Sequence, residues 1–236
     1  MRDYHRDPKH SSYWCYKGLR IQADMEVHRF VAAYAANKLG SGKSALDLAS
    51  GNGALSQQLL DVGLNVASTS WDGQCQLPIP VYPLNLDLAF NPDSVGGRRY
   101  DLVCAIEIIE HVENPAGFMR SCAEVLAPGG LLIVSTPNVE SSAARLQWLI
   151  HGYPQIFSTE EVHNNRHISM IWRQGMDYFV EKAGLVVQEK HLLGPVSGSR
   201  PPSIIKRAAY GLMQRWLPGD LAGNSRLYVM SLRGEA

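Results

Sequence analysis

The sequence predicts an α/β fold in which a mostly parallel, seven-stranded sheet carries helices on both faces. Three observations support this prediction. The apolar run 45–49 leads into a glycine-rich turn and then a helical pattern, which is the layout of a nucleotide-binding first crossover. Six further runs of strand character follow it, separated by helical patterns or polar loops. A chain of 236 residues is long enough to bury a full core in one domain.

Composition and charge exclude several classes of protein. Lysine plus arginine and aspartate plus glutamate balance at 22 each, so global charge favours neither a nucleic-acid nor a membrane partner. The four cysteines are dispersed without a C-x-x-C pair, which is typical of a reduced, cytoplasmic protein. The N-terminus does not resemble a signal peptide, and no apolar run has the length of a membrane span.

The chain before the glycine turn predicts an N-terminal flap and one helix. Residues 1–21 are rich in charge and aromatic rings and can form either a mobile tail or an ordered flap over a ligand. Residues 22–39 have helical periodicity, and the run Gly40-Ser41-Gly42 ends that helix.

The remaining strands follow in chain order, with two insertions. After the strand that precedes the glycine turn, we expect strands at 64–70, 81–86, 100–106, 131–137, 185–193 and 227–232. Between them we expect helices at 116–127 and 168–182. The two segments in excess of a minimal sheet are 138–167 and 194–224.

The glycine turn carries the first chemical signal. Gly51 and Gly53 allow close approach of a ligand and positive φ angles, and the helix that follows presents free N–H groups. A dinucleotide site would place a third glycine where Ser56 stands. Instead, an acidic residue, Asp47, lies inside the strand. A carboxylate suits a cationic ligand better than it suits a phosphate-bearing one.

The run Leu-Asp-Leu-Ala-Ser-Gly-Asn-Gly resembles motif I of class I S-adenosylmethionine (SAM) methyltransferases, with Ala49 at the family's usual first glycine. A second block, residues 100–137, resembles the family pattern E-x-x-E-H-V-x-N-P followed by P-G-G and S-T-P-N. The resemblance covers residues 22–193 and the final strand, and is closest to the bacterial ubiquinone-biosynthesis O-methyltransferase-like group. It implies a Rossmann-like sheet with an antiparallel last strand, and one methyltransferase domain over residues 1–236.

The same resemblance implies a set of SAM contacts. An acid usually holds the ribose at the position of Ser70, so either Ser70 or the nearby Asp72 is the candidate here. Asp87 is the candidate for the adenine amino group, and Arg29 for the SAM carboxylate. The remaining expected contacts are Asp47, Ala49, Ser50, Gly51, Asn52, Gly53 and Ile106.

Three residues after the fourth strand can carry the chemistry. Glu107, Glu110 and His111 are spaced i, i+3, i+4, so on a helix they would share one face. Together they can hold a divalent cation such as Mg²⁺, and the resemblance adds His167 as a fourth ligand. Alternatively, His111 acts as a metal-free general base, or Glu110 merely caps the following helix.

The function that the resemblance implies is SAM-dependent methylation, in the first place O-methylation of a hydroxyl on a small molecule, sugar or lipid-linked acceptor. The alternatives are a non-catalytic interaction module of the same fold and a metal-dependent RNA 3′-end 2′-O-methyltransferase, although the neutral composition counts against RNA. An NAD-linked oxidoreductase is disfavoured by the missing third glycine. The segment 203–217 predicts a basic amphipathic helix, which packs on its own domain or touches a membrane peripherally.

Overall fold

The computed structural model describes residues 3–10, 13–73, 75–196 and 202–234. Seven strands form one sheet in the order β6-β5-β4-β7-β8-β10-β9, in which only β10 runs antiparallel to its neighbours. The strands of the chain are β1 (Tyr4–Arg6), β2 (Trp14–Tyr16), β3 (Leu19–Arg20), β4 (Ser44–Asp47), β5 (Asn65–Ser70), β6 (Val81–Pro83), β7 (Tyr100–Ile106), β8 (Leu126–Pro137), β9 (Leu185–Leu193) and β10 (Ser225–Leu232). The helices are α1 (Met25–Lys38), α2 (Ala54–Asp61), α3 (Pro115–Glu124), α4 (Ser142–His151), α5 (Thr159–Asn165), α6 (Arg173–Lys182) and α7 (Ile204–Trp216). The predicted Rossmann-like sheet with an antiparallel last strand is confirmed.

The central strand β7 is mainly apolar because the sheet is buried on both faces. Along β7, Leu102 and Cys104 point into a core shared with α1 and α2. The alternate residues Val103 and Ala105 point into the opposite core, which α3 and α6 cover.

Several predicted boundaries differ from the structure, and three of them concern β6, α6 and β8. Strand β6 ends at Pro83, before the predicted end at 86, and α6 begins at Arg173. Strand β8 begins at Leu126, so Pro128, Gly129 and Gly130, which usually end an element, lie within it. The pairing of β7 with β8 shifts register between Tyr100 and Leu102, which accommodates this irregular start.

The predicted N-terminal flap contains a small antiparallel sheet, β1-β2-β3, whose described part packs on α2. The Tyr4 hydroxyl donates to the Gln58 amide oxygen at 3.0 Å, and the Tyr16 hydroxyl donates to Asp61 at 2.7 Å. Residues 1, 2, 11 and 12 of the predicted flap lie outside the described residues.

The two predicted insertions are largely helical. Segment 138–167 contains α4 and α5, and segment 194–224 contains α7, with residues 197–201 outside the described part. Within the described ranges, no helix is both long and apolar enough to cross a membrane.

Candidate functional site

A cavity of about 1610 Å³ opens at the carboxyl edge of the parallel strands. The last residues of four neighbouring strands line it: Asp47, Ser70, Ile106 and Pro137. This is the edge where open α/β sheets bind ligands. The N-terminal sheet and both insertions complete the walls.

The glycine turn bends through left-handed backbone at Ala49 (φ 55°), Gly51 (φ 53°) and Gly53 (φ 90°). A β-carbon at Gly51 would collide with the Gln22 side chain, and one at Gly53 would lie 2.8 Å from the Cys75 sulfur. The positive φ angles disfavour any other residue at both positions, and the close contact of Gly53 with Cys75 adds to this. Ala49 and Ser50 line the cavity, whereas Gly51, Asn52 and Gly53 are not among the described lining residues.

Asp47 ends β4 with its side chain only 2% exposed. Burial raises the pKa of Asp47 to about 7, and a 2.6 Å hydrogen bond from the Ser56 hydroxyl opposes part of that rise. The Ser50 hydroxyl beside it is buried and has no hydrogen-bond partner among the described residues. A carboxylate and a hydroxyl are thus available to a cationic, hydrogen-bonding ligand.

The two candidates for the ribose contact are joined to each other. The Ser70 hydroxyl lines the cavity and donates to Asp72 Oδ1 at 3.0 Å, while Asp72 itself is exposed and is not among the described lining residues. Trp71 lies between them, 71% exposed and lining the cavity. The sequence analysis did not name Trp71 as a candidate, although an aromatic residue directly after the end of a strand was a signal that could have identified it.

The two outlying SAM candidates differ in their placement. Asp87 lines the cavity, and its carboxylate accepts from the Glu113 backbone N–H at 2.9 Å and pairs with Arg166 at 3.4 Å. Arg29 is not among the described lining residues, and its guanidinium lies 6.0 Å from the Tyr4 ring centroid. The structure therefore brings Asp87 to the cavity and Arg29 to the N-terminal sheet instead.

Glu107 does not share a helix face with Glu110 and His111, contrary to the expectation from spacing. Its backbone is left-handed (φ 49°), and only one 3₁₀ turn, Ile109–His111, follows. Burial raises the pKa of Glu107 to about 7, and its Oε1 accepts from the Ser135 hydroxyl at 2.7 Å. The predicted metal ligand Glu107 therefore lies outside the cluster that the other three residues form.

Glu110, His111 and His167 each offer a ligand atom, and these atoms lie within 4.8 Å of one another. Glu110 is 1% exposed, and burial followed by the charge of Glu107 raises its pKa. Its Oε2 makes no regular hydrogen bond to the described residues, although the Thr136 hydroxyl lies nearby. Burial, followed by His167, lowers the pKa of His111, so its imidazole is neutral near neutral pH.

The insertion 138–167 delivers His167 to this cluster. The Glu110 carbonyl accepts from the backbone N–H groups of Ile168 and Ser169 at 3.0 and 2.9 Å, which fixes the chain after α5. His167 Nδ1 lies 2.6 Å from the Ile156 carbonyl, and because a carbonyl can only accept, Nδ1 carries the proton. In this tautomer the Nε2 atom holds the lone pair.

Sequence reasoning also missed a buried amide at the cavity wall. Asn138 donates to the carbonyls of Asp220 and Ala222, both at 2.8 Å, and accepts from Arg226 at 2.9 Å. It lines the cavity and fastens the end of the second insertion to β8. The partners are more than 80 positions away, so no local pattern reveals them.

Comparisons with known proteins identify the family. A family model described as "Methyltransferase domain" matches residues 19–190. The ubiquinone biosynthesis O-methyltransferase of Marinobacter nauticus is 34% identical over 113 residues, 42% of this chain and 45% of that protein. The enzyme of that name from Serratia proteamaculans is 27% identical over 165 residues, 64% of this chain and 65% of that protein. The chain thus spans about half the length of the curated relatives it matches.

Solved structures share the fold at low identity. The CcbJ methyltransferase from Streptomyces caelestis matches with a TM-score of 0.57 and 15% identity over 88% of this chain and 90% of that one. The magnesium protoporphyrin IX methyltransferase from Synechocystis, solved with bound SAH, matches with a TM-score of 0.57 and 13% identity, covering 87% and 82%. Because the family model matches residues 19–190, which is most of the sequence, the chain belongs to the methyltransferase domain family.

Proposed function

We propose that this protein transfers the methyl group of SAM to a hydroxyl of a small-molecule, sugar or lipid-linked acceptor. The observation that carries the proposal is that Asp47, from the glycine-turn motif, and the cluster of Glu110, His111 and His167 line the same cavity. The names of the relatives, which are O-methyltransferases, support the choice of oxygen as acceptor atom. The arrangement provides one place for a cation-bearing cofactor and another for proton transfer.

The residues of the glycine turn fit SAM, which carries an ammonium and a sulfonium. In our proposal Asp47 faces one of these positive charges, because its buried carboxylate lacks a cationic partner among the described contacts. Ser50 supplies its unpartnered hydroxyl, and Ser70, held by Asp72, faces the ribose. Trp71 offers an exposed ring for the adenine. SAM supplies a methyl group on a good leaving group, so the protein mainly aligns the acceptor and excludes water.

His111 is the proposed general base. Its lowered pKa keeps the ring neutral, and Nε2 lies 4.0 Å from Glu110 Oε1. In this mechanism Nε2 accepts the acceptor's hydroxyl proton while the C–O bond forms and the C–S bond breaks. In the same mechanism the Glu110 carboxyl and the Nε2 lone pair of His167, both close to His111, orient the acceptor's hydroxyl and the His111 imidazole.

A metal-assisted version is the second candidate, and the unsatisfied Glu110 Oε2 favours it. One carboxylate oxygen and two imidazole nitrogens suit a divalent cation such as Mg²⁺ or Zn²⁺. His167 has the arrangement of a metal-bound histidine, with its other nitrogen held by a backbone carbonyl. A cation held there would acidify a bound hydroxyl, above all one of two adjacent hydroxyls.

The size of the cavity leaves room for an acceptor beside the cofactor. Its volume of about 1610 Å³ exceeds the roughly 300–1,000 Å³ of ordinary ligand pockets. We propose that the described chain acts as one domain, with the N-terminal sheet as a flap over the cofactor and the segment 138–167 beside the acceptor. Arg6, Trp14 and Gln147 line the cavity from these two segments.

The proposal is tested by transfer of labelled methyl from SAM into a fractionated cell extract. We expect His111→Ala to lower transfer by roughly 100-fold or more, since general bases contribute about that much. Calorimetry should show that the variant still binds SAM. The matched control is His163→Ala, an exposed histidine of α5 outside the cluster, which should leave transfer unchanged.

Four outcomes separate the alternatives. Full transfer in excess chelator excludes the metal-assisted version, whereas loss that Mg²⁺ or Zn²⁺ restores supports it. Binding of SAM without transfer to any fraction would favour the non-catalytic interaction module. Failure to bind SAM at all would contradict the proposal at its first step.

A further inference from the structure

Helices α4 and α7 pack against each other and present a broad apolar surface to solvent. We name this the α4–α7 surface and define it by its exposed side chains Trp148, Leu149, Ile150, Ile204, Ile205, Leu212 and Trp216. Leu149, Ile204 and Ile205 are each more than 80% exposed. Exposed apolar side chains concentrated on two helices that pack together are typical of a binding face.

We propose that the α4–α7 surface docks this protein onto an anionic lipid bilayer. Helix α7 has no buried residue, so it contributes almost nothing to the core of its own domain. It touches the rest of the protein mainly through the half-buried Ala209, Tyr210 and Met213. Its 13 residues are too few to span a bilayer, but they suit a helix that lies in the plane of the interface.

Charge selects an anionic bilayer over a protein partner. The segment 203–219 contains Lys206, Arg207 and Arg215 and no acidic residue, although the whole chain is electrically neutral. All three cations are exposed, and none has a carboxylate partner in the described part of the chain. Trp148 and Trp216 add rings that favour the boundary between headgroups and acyl chains. The apolar side chains match the acyl chains at that boundary, and the flanking lysine and arginines match the anionic headgroups.

The α4–α7 surface is continuous with the cavity. Lys206 and Tyr210 of α7 and Gln147 of α4 line the cavity, while their neighbours Ile205 and Trp148 are exposed. Docking through this surface would therefore hold the cavity mouth against the bilayer. An acceptor dissolved in the membrane could then reach the site without crossing water. The docking itself depends on neither the identity of the acceptor nor the catalytic role of His111.

The test is co-sedimentation of the full chain with vesicles, without SAM or acceptor. We expect the protein to bind vesicles that contain phosphatidylglycerol at least about tenfold more tightly than vesicles of phosphatidylcholine alone, because α7 carries three exposed cations. Added salt should weaken this binding. Ile205→Glu and Leu149→Glu should each lower it at least about tenfold, because a charge enters the apolar contact. The SAM-induced thermal shift of these variants should remain that of the wild type.

The control is Tyr178→Glu. The Tyr178 ring is 54% exposed, and its helix α6 packs against α3 and β9 rather than against α4 or α7. This substitution should leave vesicle binding unchanged. The proposal is overturned if the wild-type protein stays in the supernatant with anionic vesicles, or if Tyr178→Glu weakens binding as much as Ile205→Glu. It is equally overturned if Ile205→Glu breaks a dimer in solution while the wild type ignores vesicles.

Discussion

Asp47 combines a functional position with an unfavourable environment. Its pKa is raised to about 7 in the folded protein by burial, against about 3.9 in an unfolded chain. Folding therefore disfavours the charged form of Asp47. The resulting loss in the free energy of unfolding begins as pH rises above about 4 and reaches its full size above about pH 7. Such a carboxylate destabilises the ligand-free protein and is retained, in our proposal, for its cationic ligand.

We predict that Asp47→Asn raises the free energy of unfolding by about 2 kcal/mol near pH 8, because it removes the buried charge and can still accept from Ser56. Near pH 4 the variant and the wild type should be equally stable, since Asp47 is then protonated. Its affinity for SAM should fall at least about tenfold. Urea denaturation at both pH values and calorimetry check these outcomes.

Asp101 supplies the control of opposite sign. Burial opposes its ionisation, but hydrogen bonds from Ser44 and the Lys43 ammonium outweigh burial and lower the pKa of Asp101 to about 2. Asp101→Asn should therefore destabilise the protein near neutral pH, and the loss should shrink as pH falls through about 2. A gain in stability from both substitutions would show that the effect at Asp47 is not electrostatic.

Ala49 occupies left-handed backbone that costs a non-glycine residue about 1–2 kcal/mol. We predict that Ala49→Gly raises the free energy of unfolding by roughly 0.5 kcal/mol, because the greater freedom of glycine in the unfolded chain offsets part of the relief. Ala49→Val should lower it by more than about 1 kcal/mol, since a β-branched residue tolerates this conformation least. Equal losses from both substitutions in urea denaturation would contradict this account.

Among the elements, the end of β8 has the densest hydrogen bonding at the cavity. Asn138→Ala would remove bonds to Asp220, Ala222 and Arg226 and leave buried groups unsatisfied. We predict a loss of about 2–4 kcal/mol in unfolding free energy and faster hydrogen exchange over residues 219–224. Gln188→Ala is the control, because its amide bonds Ser231 on the exposed surface. A comparable loss in the control would argue against burial as the cause.

The elements also show what the sequence could predict. Strands such as β7 were predictable because both faces are buried and all of its residues except Asp101 are apolar. The start of β8 was not, because Pro128, Gly129 and Gly130 usually end an element and here a register shift against β7 accommodates them. The site was only partly predictable. Helical spacing misplaced Glu107, whose left-handed backbone depends on a contact with the distant Ser135.

At the scale of the whole molecule, the cavity joins the N-terminal sheet, the sheet edge and both insertions. A ligand bound there should stabilise them together, by about 2.7 kcal/mol at a SAM concentration 100 times its dissociation constant. The thermal shift induced by SAM therefore measures the affinity for the cofactor of the cavity as these parts of the chain form it together.

We predict that this thermal shift depends on pH through Asp47. Below about pH 7 the carboxyl is protonated in the ligand-free protein, and it must release that proton before it can face a cation. With one proton released, the affinity for SAM should fall roughly twentyfold between about pH 7.5 and about pH 5.5, a range below the usual α-amino pKa, in which the SAM amino group is mostly charged. The thiol of Cys104, which interacts electrostatically with Asp47, has a raised pKa and stays neutral across this range. Glu107 lines the same cavity and has a pKa raised to about 7, so the Asp47→Asn variant is needed to separate the two carboxyls. Asp47→Asn should flatten the dependence to leave a weak, nearly constant affinity. A variant that kept the full slope would show that another group binds the proton.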